Sequence, residues 1–60
     1  MYNLGDTITH SVFGRGEIIY IDEGKDLNGN IIKYYDVHFD TDEKYKIRTF
    51  TEESLKKFLI

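Results

Sequence analysis

The chain of 60 residues contains no cysteine, no proline and no tryptophan, and only two histidines. The absence of cysteine excludes disulfides and thiolate metal sites, and two histidines are too few for the usual zinc spacings. No apolar run approaches the roughly 20 residues that cross a bilayer, and Met1-Tyr2-Asn3 has no signal-peptide character. We therefore expect a cytoplasmic protein with no metal, no cofactor and no membrane partner.

Positive charge is also scarce, because 11 acidic residues outnumber 8 basic ones and give a formal net charge of −3. This balance argues against general binding to phosphate backbones, which favours clearly basic surfaces. The chain is nevertheless 40% hydrophobic and 15% aromatic, which is too apolar for a disordered tail. Its length predicts a single domain over residues 1–60, and we expect a monomer.

The first half of the chain has the patterning of two short strands. A period-two alternation predicts a strand over residues 7–12, with Ile8 and Val12 on one side. Gly14-Arg15-Gly16 predicts a tight turn, because glycine accepts the positive φ values that such turns need. A second strand is expected over residues 17–21.

The second half predicts two more strands. The polar stretch 22–30 contains Asn28-Gly29, which is a strong hairpin signal. The third strand is expected over residues 31–39, and its two faces would carry Tyr35, Val37 and Phe39 on one side and Tyr34, Asp36 and His38 on the other. After a turn over residues 40–43, the fourth strand is expected over residues 44–50, with Tyr45 and Ile47 inward and Lys44, Lys46 and Arg48 outward.

The last ten residues predict a short helix. Thr51 is a candidate N-cap with Ser54 at the third helical position, and acidic residues in the first turn suit the helix dipole. Leu59-Ile60 could add a last short strand. The pattern as a whole predicts an all-β fold, a small SH3-like or Tudor-like barrel of four to five antiparallel strands with one short C-terminal helical turn. The expected core comprises Ile8, Val12, Ile18, Ile21, Tyr35, Val37, Phe39, Ile47, Leu55 and Phe58.

The run from Gly5 to Ile18 reads G-D-x-I-x-H-x-x-F-G-x-G-x-I. It resembles the C-terminal Tudor-like domain of UvrD/PcrA-type DNA helicases, in which a hairpin, a strand like Val37-His38-Phe39 and a basic-apolar pair like Lys46-Ile47 follow. The resemblance covers almost the whole chain and implies an SH3-like fold without catalytic activity. It also implies docking on RNA polymerase, on an acidic and apolar segment of the β subunit. Here the domain would be a standalone small protein of bacterial or phage origin.

The candidate partner-binding residues fall into two groups. Phe13 and Arg15 could form an exposed recognition corner, although Phe13 could instead plug one end of the barrel. Lys44, Lys46 and Arg48 could form a basic docking strip, or a solvated face paired with acidic residues of the neighbouring strand. Tyr34 completes the set as a further aromatic contact.

The two histidines have structural interpretations. His10 is expected to fix a loop by hydrogen-bonding to the backbone, and His38 to lie on a solvated strand face. No nucleophile–base set or phosphate-binding loop can be assembled, so we expect no enzyme. Two alternatives to protein docking stay open: a small barrel that binds nucleic acid, and a phage-encoded inhibitor that acts through the acidic hairpin Asp22–Asp26.

Overall fold

The computed structural model of the protein describes residues 2–41 and 47–60. They form one antiparallel sheet in the order β1-β2-β3-β4, followed by one short helix. The molecule is thus the expected small all-β domain, and its architecture is compatible with a small barrel. The elements are β1 Thr7–His10, β2 Gly14–Lys25, β3 Ile31–Phe39, β4 Arg48–Thr51 and α1 Glu52–Phe58.

Strand β3 has the bounds and the faces that the sequence predicts. Tyr35, Val37 and Phe39 are fully buried on one face, as the period-two pattern requires. The hairpin tip between β2 and β3 is also where Asn28-Gly29 indicates it. Asp26 stabilises this tip, because one of its carboxylate oxygens accepts the N–H groups of Asn28 and Asn30 at 2.8 and 2.9 Å.

The first hairpin differs from the prediction. The turn comprises residues 11–13, because His10 already pairs with Gly14 and Ile8 with Gly16. Gly14 has a φ of 83°, which only glycine adopts without strain. Gly16 allows close packing instead, since a Cβ there would lie 2.7 Å from Cδ1 of Phe39.

The early turn explains one error in the expected core. Val12 lies in the turn rather than in β1, and its side chain is 69% exposed. A strand to residue 12 would have buried it, but the chain reverses after His10. The buried side chains of β1 are therefore Ile8 and His10.

Strand β4 begins later than predicted and shows its other face to the core. Arg48 pairs with the buried Val37, and Phe50 pairs with the buried Tyr35, so both side chains lie on the core side of the sheet. Ile47 is consequently 48% exposed, and the inward placement of Ile47 and the outward placement of Arg48 are both wrong. Lys44, Tyr45 and Lys46, for which the prediction was also made, lie outside the described residues.

The helix begins as predicted. Oγ1 of Thr51 accepts the N–H of Ser54 at 3.1 Å, and Leu55 is buried against the sheet. Phe58 is 40% exposed and is not the core residue that was expected, because Leu59 is the side chain that packs on the core.

The segment after α1 returns to the first strand. Leu59 forms a bridge with His10, the N–H of Ile60 donates to the carbonyl of Thr9, and the N–H of Ser11 donates to that of Phe58. This segment therefore lies beside β1, on the edge away from β2, which is where the sequence allowed a last short strand.

The core lies between the sheet and α1. Its buried centre, which includes the hydroxyl-bearing Tyr35, is surrounded by partly buried side chains, among which Ile21 was on the list of expected core residues. No helix in the described part of the chain is long and apolar enough to cross a membrane. The buried apolar residues are Ile8, Ile18, Tyr35, Val37, Phe39 and Leu55, and the partly buried ones are Tyr2, Phe13, Ile21, Phe50 and Leu59.

Candidate functional site

Aromatic rings gather around His10 at one end of the sheet. The His10 side chain is only 3% exposed, and four phenylalanine rings lie with their centroids between 4.9 and 5.7 Å from that of the imidazole. We call this cluster the aromatic end. It comprises His10, Phe13, Phe39, Phe50 and Phe58.

His10 fixes the turn that carries Phe13. Its Nδ1 accepts the backbone N–H of Val12 at 3.0 Å and that of Phe13 at 3.3 Å. An accepting Nδ1 requires a neutral imidazole with its proton on Nε2, and burial lowers the pKa of His10 in the same direction. The expected role of His10 as a backbone pin is confirmed.

Arg48 covers the ring of Phe13. The guanidinium carbon lies 4.0 Å from the ring centroid, and the Arg48 side chain is half-buried. A cation over an aromatic face is attracted by the ring quadrupole, so this contact favours the observed position of the guanidinium group. Phe13 is thus neither a fully exposed anchor nor a simple plug, because one face packs on the core and Arg48 lies over the ring.

Arg15 follows Phe13 by two residues, and its side chain lies on the outer face of β2. Its Nε is 3.7 Å from a carboxylate oxygen of Asp40, and both side chains are largely exposed, so solvent screens this ion pair strongly. The carbonyl of Arg15 accepts the N–H of Asp40, and the hydroxyl of Thr41 donates to the carbonyl of Phe13. The chain after β3 is thereby fastened to the first hairpin.

Tyr34 is not part of this group. It lies on the opposite face of β3 from the buried residues, and its ring covers Gly24, where a Cβ would lie 3.1 Å from Cε2 of the tyrosine. Tyr34 is half-buried there. Lys44 and Lys46, the other two predicted contacts, lie outside the described residues, so the basic strip stays a prediction.

His38 occupies the same outer face of β3, opposite Glu17 of β2. It is half-buried rather than solvated, and its Nε2 is buried without a hydrogen-bond partner in the part of the chain that the structure describes. The sequence predicted that His38 lies on a solvated strand face, and this prediction is wrong for its Nε2, which is buried. Across the described residues, no group of three or more His, Asp or Glu side chains could hold a metal ion.

Exposed apolar side chains border the aromatic end. Val12 projects from the turn, and Phe58 and Ile60 are placed beside it by the hydrogen bonds that join the C-terminal segment to Ser11 and Thr9. Sequence reasoning assigned Val12 and Phe58 to the core and so missed them as surface residues. A prediction that residues 11–13 form the turn would have identified Val12 as an exposed residue.

A second concave feature lies at the opposite end of β3. It is an open cleft of about 660 Å³ between the hairpin tip and the beginning of α1. We call it the hairpin cleft. Its lining comprises Asp26, Asn30, Ile31, Ile32, Thr51, Glu52, Glu53 and Lys56.

The chemistry available at the aromatic end is recognition by charge and apolar contact. Two guanidinium groups can donate several hydrogen bonds each, and apolar side chains lie beside them. Comparisons of this chain with protein-family models, with curated proteins and with solved structures found no match.

Proposed function

We propose that this protein is a non-catalytic interaction module that docks on another protein through the aromatic end. The observation that carries the proposal is the pair of Phe13 and Arg48, in which the guanidinium carbon lies 4.0 Å from the ring centroid. Arginine and aromatic side chains are enriched among the residues that dominate binding energy at protein interfaces.

The partner segment would combine acidic and apolar side chains. Carboxylates would pair with Arg15 and Arg48, whose planar guanidinium groups match carboxylate geometry, and apolar side chains would contact Val12 and Phe58. Asp40, which is paired with Arg15 only through an exposed contact, would be displaced at little cost. We infer bacterial RNA polymerase, through its β subunit, as the partner, because the run from Gly5 to Ile18 resembles that of the helicase domains.

The binding surface would be largely preformed. His10 holds the turn with two hydrogen bonds, and stacking on Phe13 restricts Arg48 before any partner arrives. Side chains that are already ordered lose less conformational entropy on binding, so more of the contact energy appears as affinity. Charge complementarity would accelerate encounter and select against basic partners.

The test is binding of purified RNA polymerase core enzyme to the immobilised protein. Arg15→Glu and Val12→Asp change exposed side chains, so each variant should fold normally and bind at least about ten-fold more weakly, which corresponds to about 1.4 kcal/mol. Lys46→Glu should also weaken binding if the predicted basic residue contributes. Lys25→Glu makes the same charge change at the far end of β2 and should bind within about two-fold of the unmodified protein.

Two results would contradict the proposal in different ways. Failure of the unmodified protein to bind the polymerase at micromolar concentration would remove this partner, whereas equal loss in Lys25→Glu and Arg15→Glu would remove the aromatic end as the surface. A labelled single-stranded oligonucleotide, bound at low salt and released by added salt, would favour the nucleic-acid alternative instead. The outer face opposes that alternative, since Glu17, Asp22 and Asp36 surround Tyr20 and Tyr34 there.

A further inference from the structure

The hairpin cleft exists because β3 is longer than β4 at this end. The last paired residues are Tyr34 and Thr51, and after Thr51 the chain turns into α1. Ile31 and Ile32 therefore extend past the end of β4. The cleft occupies the position that β4 would fill if it continued along β3.

The walls of the cleft are acidic and its floor is apolar. Asp26, Glu52 and Glu53 contribute three carboxylates, against the single ammonium of Lys56. The apolar part of the lining comprises Ile31, which is largely exposed, and the half-buried Ile32. An apolar surface flanked by one sign of charge is complementary to a partner with aliphatic side chains and the opposite charge.

The three carboxylates differ in their surroundings: Asp26 is fixed by hydrogen bonds, Glu52 is half-buried and Glu53 is exposed. The backbone N–H groups of Asn30 and Asn28 lower the pKa of Asp26 and keep it ionised. Glu52 is half-buried. Burial is the main cause that raises the pKa of the Tyr35 hydroxyl, and the negative charge of Glu52 is the second, so the Glu52 carboxylate lies close to the core. A carboxylate held in a partly desolvated position gains more from an incoming cation than one on an open surface.

We propose that the hairpin cleft binds an extended basic peptide segment of a protein partner, with lysine or arginine side chains against Glu52 and Glu53 and aliphatic side chains on Ile31 or Ile32. The segment would lie beside β3 in line with β4, as strands do when they add to a sheet. Its side chains would then alternate between the two faces of the sheet, as those of Ile31 and Ile32 do, so a segment of alternating basic and aliphatic residues would place its aliphatic side chains on the face of one isoleucine and its basic side chains on the other face.

This site is separate from the aromatic end in position and in sign of charge. The cleft lies at the Ile31 end of β3, and Phe39 of the aromatic end lies at the other end of this nine-residue strand, about 26 Å along it at 3.3 Å per residue, whereas Phe50 of the aromatic end adjoins Thr51 of the cleft. A partner with an acidic segment at one end and a partner with a basic segment at the other could bind at the same time. The protein would then act as an adaptor between them.

The test uses the 15N-labelled protein and an acetylated hexapeptide of alternating lysine and valine. Amide signals of Ile31, Ile32 and residues 51–56 should shift on titration, and added salt should weaken the binding. Glu53→Gln, an exposed change, should weaken binding several-fold, and Glu52→Gln combined with Glu53→Gln at least ten-fold. Glu17→Gln removes the same charge outside the cleft and should bind within two-fold, as should Arg15→Glu at the aromatic end.

Three outcomes would overturn the proposal. One is a set of shifted amides that excludes the cleft, and another is equal binding of the hexapeptide in which glutamate replaces lysine. The third is a concentration-dependent shift of the cleft amides without any peptide, which would identify a second copy of the chain as the occupant. Circular dichroism of each variant establishes that a weaker titration reflects the cleft and not loss of the fold.

Discussion

Residues of the run from Gly5 to Ile18 serve mainly as scaffold. Gly5 has a φ of 87° and donates its N–H to the carbonyl of Ile18, and Gly14 closes the first turn with a φ of 83°. Gly16 admits the ring of Phe39, which a Cβ would contact at 2.7 Å. Each of these three glycines therefore has a local physical reason that belongs to the first hairpin and its packing.

His10 makes the stability of the protein depend on pH. Its folded-state pKa is lowered from 6.5 by burial, so the unfolded state binds the proton more readily as pH falls below that value. Above pH 6.5 both states are neutral and the contribution is constant. We expect a lower urea midpoint at pH 5.5 than at pH 7.5, because protonation of His10 removes the lone pair of Nδ1 that accepts the N–H groups of Val12 and Phe13.

The variant His10→Asn isolates this effect. An asparagine oxygen can still accept the N–H groups of the turn but does not titrate, so the variant should be less stable overall and should lose the difference between pH 7.5 and pH 5.5. His38→Asn removes the other histidine and should keep the difference. Retention of the full difference in His10→Asn would show that other groups cause it.

Elements with local signals were predictable from the sequence, whereas the choice of the buried face in β4 was not. The alternation of β3, the Asn28-Gly29 tip and the Thr51 cap depend on residues within a few positions of one another, and all three are confirmed. The face of β4 depends on Phe50 opposite the buried Tyr35, which is a tertiary contact. The sequence pattern of β4 alone favoured Ile47 as a residue that faces the core.

Two central residues of the candidate site were predictable from the sequence, but their geometry was not. Phe13 and Arg48 were identified separately, one as an anchor and one as part of a basic strip. Their stacking joins residues from the first turn and from β4, and it requires Arg48 to lie on the core face. Contacts between residues so distant in sequence depend on sheet order and register, which local patterns do not contain.

The beginning of α1 depends on a single side-chain oxygen. Thr51→Ala removes the hydroxyl that accepts the N–H of Ser54 and should lower the free energy of unfolding by about 1 kcal/mol. Thr51→Ser retains an equivalent oxygen and should stay within about 0.5 kcal/mol of the unmodified protein. Urea denaturation at pH 7.5 measures both, and equal destabilisation by alanine and serine would contradict the role of the cap.

For the molecule as a whole, α1 and the C-terminal segment connect the two edge strands of the sheet. β4 leads into α1, and Leu59 and Ile60 then pair with the exposed side of β1. An uncovered edge presents unpaired backbone groups, so this return covers one edge and places Phe58 at the aromatic end. Closure of the sheet and the proposed docking surface thus both depend on the segment that follows α1.

The variant Leu59→Ala tests whether the C-terminal segment closes the sheet by pairing with β1. Leu59→Ala removes a half-buried side chain that packs on the core and should lower the free energy of unfolding by about 1–2 kcal/mol, below the range for fully buried leucines. Ile60→Ala changes an exposed side chain in the same segment and should stay within about 0.5 kcal/mol. Hydrogen exchange should show faster exchange at the amides of Ser11 and Ile60 in Leu59→Ala alone, because these amides donate across the closing segment. If both amides kept their protection while the urea midpoint fell, Leu59 would stabilise the core without closing the sheet.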